Sequence, residues 1–325
     1  PPPPAPPPAA SATKAPPVEP ASADEPPPRL AHARWPLPLE FGRVHAAAWL
    51  GDRLLLAFQW RTSLYEADGR EVASWPTALH PLAWTGDALF ARDERDTFLL
   101  RADGTPPSKV LPFPAESCDP VAGRLVVRGE GELRAFDASG TLLRRFPLPD
   151  GLTPKQAFAT PERLLVVVDA PNPRFLAFPW GPGAGQFVEG DLSPGRLDLR
   201  LSPDRERMAL SGQSGFVWIY DAADLEAPPL RLRRARPEET SLARMFHVPH
   251  LVGVRGVLFW GDRLLTWGRG DTESDLLIWT RQGELEAVRS AAEVQALALG
   301  AHGMLARISK DQVEVFPAEE LLERE

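Results

Sequence analysis

Downstream of Arg34 the apolar positions fall into short runs, each led in by a tight polar turn, and one phrase returns seven times. It reads Gly51-Asp-Arg-Leu-Leu-Leu, Gly86-Asp-Ala-Leu-Phe, Ala122-Gly-Arg-Leu-Val-Val and Pro161-Glu-Arg-Leu-Leu-Val, then Arg205-Glu-Arg-Met-Ala-Leu, Gly261-Asp-Arg-Leu-Leu-Thr and His302-Gly-Met-Leu-Ala-Arg. The shared apolar position is Leu54, Leu89, Leu125, Leu164, Met208, Leu264 and Leu305, at spacings of 35, 36, 39, 44, 56 and 41 residues. Such periods match a four-stranded blade of a β-propeller. An apolar first strand precedes each phrase, as in Val44–Leu50, Val254–Trp260 and Val294–Leu299. A third strand follows, centred on Tyr65, Leu100, Phe136, Phe178, Tyr220, Trp279 and Phe316. Next come turns such as Asp68-Gly69, Asp103-Gly104, Ser139-Gly140 and Gln282-Gly283, where glycine adopts positive φ at little cost. Unbroken apolar runs such as Leu54–Phe58 and Leu164–Val168 suit strands covered on both faces, and they lack a helical period.

The last repeat stops after its third strand, because Pro317-Ala-Glu-Glu-Leu-Leu-Glu reads as a helix start with proline in its first position. Trp35-Pro-Leu-Pro-Leu-Glu-Phe41 resembles the fourth strands Val110-Leu-Pro-Phe-Pro114 and Arg145-Phe-Pro-Leu-Pro149. It therefore supplies the missing strand, and its prolines are tolerable at an outermost edge. The expected fold is all-β: a seven-bladed propeller over 34–317, closed by its N-terminal strand. An insertion with a short helix is expected at about 233–248, and a short helical tail at 318–325. Residues 1–28 hold 13 prolines among Ala, Ser and Glu, so 1–33 reads as a disordered spacer arm of polyproline II character.

The third strands Trp218-Ile-Tyr-Asp221, Leu276-Leu-Ile-Trp279 and Leu133-Arg-Ala-Phe-Asp137 resemble WD40 repeats, as does the stretch from His250 to Trp267. The likeness spans roughly residues 34–316, most fully in the fifth and sixth units, and makes the chain a degenerate WD40-like propeller. The family's Trp-Asp pair is mostly replaced. Asp137 and Asp221 keep the acid, whereas Glu66, Arg101, Pro179, Thr280 and Pro317 fill the other slots. Residue usage is that of a GC-rich bacterial genome. The resemblance implies an interaction platform: bacterial WD40-like propellers often serve in multi-component assemblies, including ones that pair a MoxR-type ATPase with a von Willebrand A-like protein, and no motif here assigns the chain to those.

Composition narrows the chemistry. A net charge of −8 argues against nucleic acid or anionic lipid as a partner. One cysteine, Cys118, rules out an internal disulfide or a thiolate metal site. No apolar run has the length of a membrane span. No secretory leader is visible, so the expected compartment is the cytoplasm, with export or tethering through the arm as the alternative. Catalytic signatures such as Gly-x-Ser-x-Gly, His-Glu-x-x-His and the Walker loop are missing. Gly181-Pro-Gly-Ala-Gly185 reads as a hairpin turn, His247 and His250 as a loop pair without metal, and Arg269-Gly-Asp271 as a hairpin loop. The expectation is a monomeric, non-enzymatic protein with no cofactor and no bound metal.

Two groups of residues carry candidate binding chemistry. Aligned on the shared Leu column, one first-strand position reads His45, His80, Glu116, Lys155, Leu199, Arg255 and Ala296. In a propeller the first strand lines the axial channel, so His45, His80, Glu116, Lys155 and Arg255 would ring one mouth. A solvated rim and a ligand or partner site both fit. The ring would favour an acidic loop or carboxylate tail, and its histidines, with an ordinary pKa of about 6.5, would tighten binding as pH falls from about 8 to 6. The second group lies in the insertion. Arg233 and Arg234 precede a helix start at Pro237-Glu-Glu, and Leu242, Met245 and Phe246 then share one helical face. That face either docks a partner or packs on the propeller. The leading functional reading is a protein-interaction scaffold in a multi-component bacterial assembly. The alternative is a hydrolase, lactonase or small-ligand sensor using the axial pocket, although Glu116, Asp119 and Asp198 make a sparse cage for a hard cation.

Overall fold

The computed structural model describes residues 32–323, except 86–87, 120–122, 129–131, 161, 170–173, 189–197, 203–206, 212–216, 226, 233–253, 270–273, 291–293 and 301–302. The described strands form seven four-stranded antiparallel sheets, in sequence order within each of the first six. Blade one comprises Val44–Leu50, Arg53–Phe58, Thr62–Tyr65 and Glu71–Trp75. Blade two comprises His80–Thr85, Ala88–Arg92, Thr97–Arg101 and Ser108–Leu111; blade three comprises Ser117–Asp119, Arg124–Arg128, Glu132–Phe136 and Leu142–Pro147. Blade four is Thr153–Ala159, Arg163–Asp169, Arg174–Pro179 and Gln186–Val188; blade five is Asp198–Leu201, Arg207–Ser211, Val217–Asp221 and Leu230–Arg231. Blade six is Val254–Trp260, Arg263–Arg269, Ser274–Trp279 and Leu285–Ser290. Blade seven takes Ala296–Leu299, Met304–Ile308 and Gln312–Pro317 from the C-terminal end and Ala33–Pro36 from the N-terminal end. First strands touch the first strands of neighbouring blades, which places them around the axis. No helix among the described residues is long and apolar enough to cross a membrane.

The repeat seen in the sequence is also a register. Leu54, Leu89, Leu125, Leu164, Met208, Leu264 and Leu305 lie opposite Tyr65, Leu100, Phe136, Phe178, Tyr220, Trp279 and Phe316, respectively. Second strands are sandwiched between neighbouring blades, and all of Leu54–Phe58 and Leu164–Val168 is buried. The core is accordingly a series of interblade clusters. Leu50, Leu55, Leu64 and Leu79 meet Leu89 and Leu100 between blades one and two, and Leu265, Leu276 and Ile278 meet Leu305 and Phe316 between six and seven.

The arginine of the recurring phrase also acts between blades. Arg53 donates to the Ala102 carbonyl, Arg163 to the carbonyls of Ala222 and Ala223, and the Arg124 guanidinium lies 4.4 Å from the Trp180 ring centroid. Each target follows the third strand of the next blade, so the Arg-Leu pair combines a core residue with a tie to its neighbour.

Buried threonines clamp the passage from one blade to the next. Thr62 donates to the Thr77 carbonyl at 2.8 Å and accepts from the Leu79 N–H at 2.7 Å. Thr97 repeats this with the Phe113 carbonyl and the Ala115 N–H, both at 2.8 Å. Thr62→Val keeps the shape but strands one buried donor and one buried acceptor, at about 1–3 kcal/mol each. The expected result is a Tm lower by about 5–10 °C, largely restored by Thr62→Ser. A valine variant melting with the wild type in calorimetry would remove the clamp from the account.

The closing strand differs in extent from the sequence expectation. Pairing runs from Ala33↔Val315 to Pro36↔Gln312, and the Leu37 N–H donates to the Asp311 carbonyl at 2.8 Å. Leu39–Phe41 then forms a 3-10 turn, so the strand expected over Trp35–Phe41 ends earlier, and the propeller begins one residue before the boundary at 34. Pro38 has no N–H to extend the ladder. At the other end Pro317 completes the third strand, and the helix is Glu320–Glu323 rather than starting at Pro317. The backbone needs Pro317 for the Met304↔Pro317 pairing. Arg289 donates to the carbonyls of Leu321 and Leu322 and ties that helix to blade six.

Candidate functional site

Strand direction places the second-to-third and fourth-to-first connections on one face, the mouth face, and the tight glycine turns on the other. The first strands begin at the mouth face, and there three of them carry a β-bulge. The pairing skips a residue between Val44 and Ala46, between Pro154 and Gln156, and between Val254 and Gly256. The extra residues are His45, Lys155 and Arg255. A bulge bends its strand and re-aims a side chain, so basic positions of the sequence pattern coincide with local irregularities of the channel wall. Blade two has its bulge two residues later, between Pro81 and Ala83, and His80 pairs with Arg92.

Register divides the five residues expected to form one ring. His45, His80, Lys155 and Arg255 stand four positions before the first-strand residue that faces the shared Leu column: Trp49, Trp84, Ala159 and Phe259. Glu116 stands only two before its counterpart Cys118, because blade three has a shorter first strand and a longer turn after it. Glu116 lies just outside that strand, and its N–H donates to the Val126 carbonyl at 2.7 Å. The constant offset from the Leu column assumed a constant turn length, which blade three does not keep. The insertion residues Arg233, Arg234, Leu242, Met245 and Phe246, with His247 and His250, lie outside the described residues, as does most of the Arg269-Gly-Asp271 loop.

His45 and His80 are exposed, with ring centroids 6.4 Å apart. Burial, then the Arg92 and His45 charges, hold the His80 pKa below its ordinary value, against an opposing pull from Glu94. Three further acids nearby are engaged. Asp93 accepts from the N–H groups of Arg95 and Asp96, Asp96 pairs with Lys109 at 2.8 Å, and Glu116 pairs with Arg128 at 2.6 Å. Arg128 also donates to the Pro154 carbonyl at 3.0 Å, crossing from blade three to blade four. Exposed Arg43 and half-buried Arg92 make no ion pair among the described residues. Sequence reasoning passed over both. Arg92 was legible only as part of the run Arg92-Asp-Glu-Arg-Asp96, and Arg43 as the residue leading into Val44.

The wall below the mouth is small or apolar: Ala46, Ala47 and Ala48 are half-buried, and Cys118, Ala157, Val257 and Ala298 are buried. Among the described residues no three His, Cys, Asp or Glu side chains gather as a metal site would require. Glu116 is held by Arg128, and neither histidine hydrogen-bonds a hydroxyl, thiol or carboxylate among the described residues. A nucleophile activated by a base needs such a bond. The glycine-rich segment 181–185 is a turn of blade four, with Arg144 donating to the carbonyls of Pro179, Trp180, Gly181 and Gly183. Its carbonyls point at a cation, the opposite of a phosphate cradle. At this end of the blades the first strands carry His45, His80, Lys155 and Arg255, and acids stand there too, Asp169 opposite Thr153 and Asp198 at the start of blade five's first strand.

Neither the known family models nor the curated proteins match this sequence. Solved structures do match in fold. The chain is similar to the structure of U3-55K, with a TM-score of 0.62 at 11% identity over 88% of this chain and 98% of that one. It is similar to the RRP9 WD40 repeats, with a TM-score of 0.62 at 12% identity over 88% and 97% of the two chains. The WD40 propeller domain of Doa1 aligns with a TM-score of 0.60 at 10% identity, over 84% and 92%. At such identities the likeness is one of fold: a seven-bladed propeller of the WD40 kind.

Proposed function

We propose that this chain is a non-enzymatic interaction scaffold that presents the mouth face of its propeller to a protein partner, within a multi-component bacterial assembly. The observation that carries the reading is the placement of His45, Lys155 and Arg255 at the extra residue of a bulge where three first strands begin. Clustered charge in a concave rim attracts an acidic loop or C-terminal carboxylate more strongly than the same charges spread over open surface. A propeller hydrolase would instead need a nucleophile held by a base, and among the described residues neither His45 nor His80 hydrogen-bonds one.

The test is affinity capture with the full chain, followed by calorimetry on the purified partner. Lys155→Ala with Arg255→Ala is expected to weaken binding roughly five- to tenfold at low salt and to flatten its salt dependence. Arg233→Ala with Arg234→Ala should matter less. Binding an anion favours the charged imidazolium, so His80 takes up a proton and affinity rises as pH falls. Because its free-state pKa is lowered, the His80 part of that rise lies mainly on the acid side of about 6.5. The sequence expectation of a window from about 8 to 6 is shifted down for this residue. Unchanged affinity in the Lys155, Arg255 variant at every salt concentration leaves the mouth a solvated rim.

A further inference from the structure

Two large apolar side chains stand far out on the mouth face at the closing seam: Leu39, 68% exposed, and Trp60, 66% exposed. They sit on two connections that interlock. Phe41 packs edge-on against Phe58 with centroids 5.7 Å apart, and the Arg61 guanidinium lies 4.3 Å from the Phe41 centroid. The Gly42 backbone approaches Gln59 so closely that an added Cβ would lie 3.0 Å from it. Arg61 is further held by Glu71 and Ser74, both at 2.5 Å. Among the described residues, the other strongly exposed large apolar side chains, Leu142, Leu143, Phe187, Leu230 and Val288, belong to fourth strands at the outer rim. An exposed tryptophan beside a braced loop is the kind of anchor that dominates recognition, because little conformational freedom remains to be lost on binding.

Charge indicates what would cover it. Exposed Arg43 lies between this seam and the bulged His45, whose ring faces His80, and Arg92 pairs with His80 in register. Of the acids on the same connections, Asp93 accepts from the N–H groups of Arg95 and Asp96 and Asp96 pairs with Lys109, which leaves Glu40 and Glu94 opposite Arg43, Arg92 and the two histidines. We propose that the seam is the anchor point for an acidic segment of the partner protein bearing one bulky aliphatic or aromatic side chain. That side chain lies against Leu39 and Trp60, and its acidic neighbours reach Arg43, His45 and His80. The inference rests on the protein-partner reading above and adds the chemistry of the segment.

The probe is a displayed library of random 16-residue peptides, selected on the full chain and followed by titration of individual peptides. Enriched peptides should pair Asp or Glu with a single Leu, Met, Phe or Trp. Leu39→Ser and Trp60→Ser, both at exposed positions and checked by thermal melting, should each weaken binding about tenfold or more. Replacing the peptide's apolar residue by Ser should cost a similar factor, and little further in the Trp60→Ser background. Binding that survives both serine variants but fails in Lys155→Ala with Arg255→Ala overturns the anchor and leaves the partner reading in place. A library yielding no acidic-apolar peptide, or a chain that binds only a single-stranded thymidine 20-mer, overturns the anchor as well. The partner reading is then judged by the calorimetry already described.

Discussion

A chain lacking residues 33–41 is expected to lose the cooperative fold of its propeller, or to melt at least about 10 °C lower, whereas removal of residues 1–28 should leave Tm unchanged within about 1–2 °C. The closing segment pairs with Val313, Glu314 and Val315 and buries Trp35 and Leu37. Two large apolar side chains contribute about 1.5–3 kcal/mol each, and the exposed Val313–Val315 edge loses its ladder partners besides. The total, about 5 kcal/mol, is of the order of the whole net stability of a domain. The consequence also spreads beyond one edge, because Trp35 lies within 6.3 Å of Tyr65 in blade one, centroid to centroid. Among the described residues, the other polar ties between blades one and seven include the Trp49 indole to the Ala298 carbonyl at 3.0 Å and the Val44 N–H to the Gln295 amide oxygen at 3.1 Å. Calorimetry of the two truncations decides the matter. Equal melting temperatures would mean that the ring is held by blade packing alone, with the strand an accessory.

Gly69→Ala should cost about 2–5 kcal/mol, well above the roughly 1 kcal/mol expected for Gly261→Ala. Both glycines have positive φ, 92° and 54°, so both substitutions carry the backbone penalty. They differ in surroundings. A Cβ on Gly261 meets open space, whereas on Gly69 it falls 2.6 Å from Trp35 Cγ and Cδ2 and 3.0 Å from Trp35 Cβ. These atoms are near the root of the side chain, so the closing strand itself must move. The neighbouring Tyr65 is buried, and that burial pushes its phenol up to about 12. In urea titrations the difference between the two variants measures the Trp35 contact. Equal losses would reduce Gly69 to a turn former, and the seam would have to be held by other contacts.

The sequence and the structure agree most closely where period and turn chemistry act locally. Seven returns of the Leu column, and glycines at 69, 104, 140 and 283 with φ between 80° and 92°, needed no knowledge of neighbours. The pairing of the N-terminal strand with the last blade was also readable, because a missing fourth strand and a spare edge strand are complementary counts. Its limits were less readable. Proline tolerance suggested a strand through Phe41, but pairing stops where Pro38 has no N–H to give and the chain must cross the mouth face into blade one.

The mouth was legible as a pattern and misjudged as a ring. Polar residues at a constant distance from the Leu column pointed to His45, His80, Lys155 and Arg255, since those blades share one turn length. Glu116 entered the same column by arithmetic, and the structure instead gives it to Arg128 just before a three-residue strand. No one-dimensional signal marked Trp60 and Leu39 as neighbouring elements of one face. Each sits in its own connection, and the two connections meet only through the packing of Phe41 on Phe58 and of Arg61 on Phe41.

By itself, then, the sequence determined the blade count, the strand order, the turn glycines and the absence of familiar catalytic motifs, because these follow from spacing and residue type over a few positions. Tertiary structure alone decided the bulges that turn His45, Lys155 and Arg255 into extra residues of the channel wall, and the lowering of the His80 pKa by burial and by Arg92. It alone set the arginine ties between blades and the exposed seam of Leu39 and Trp60. All of these depend on pairing register and on contacts between strands or neighbouring blades, which no local propensity encodes.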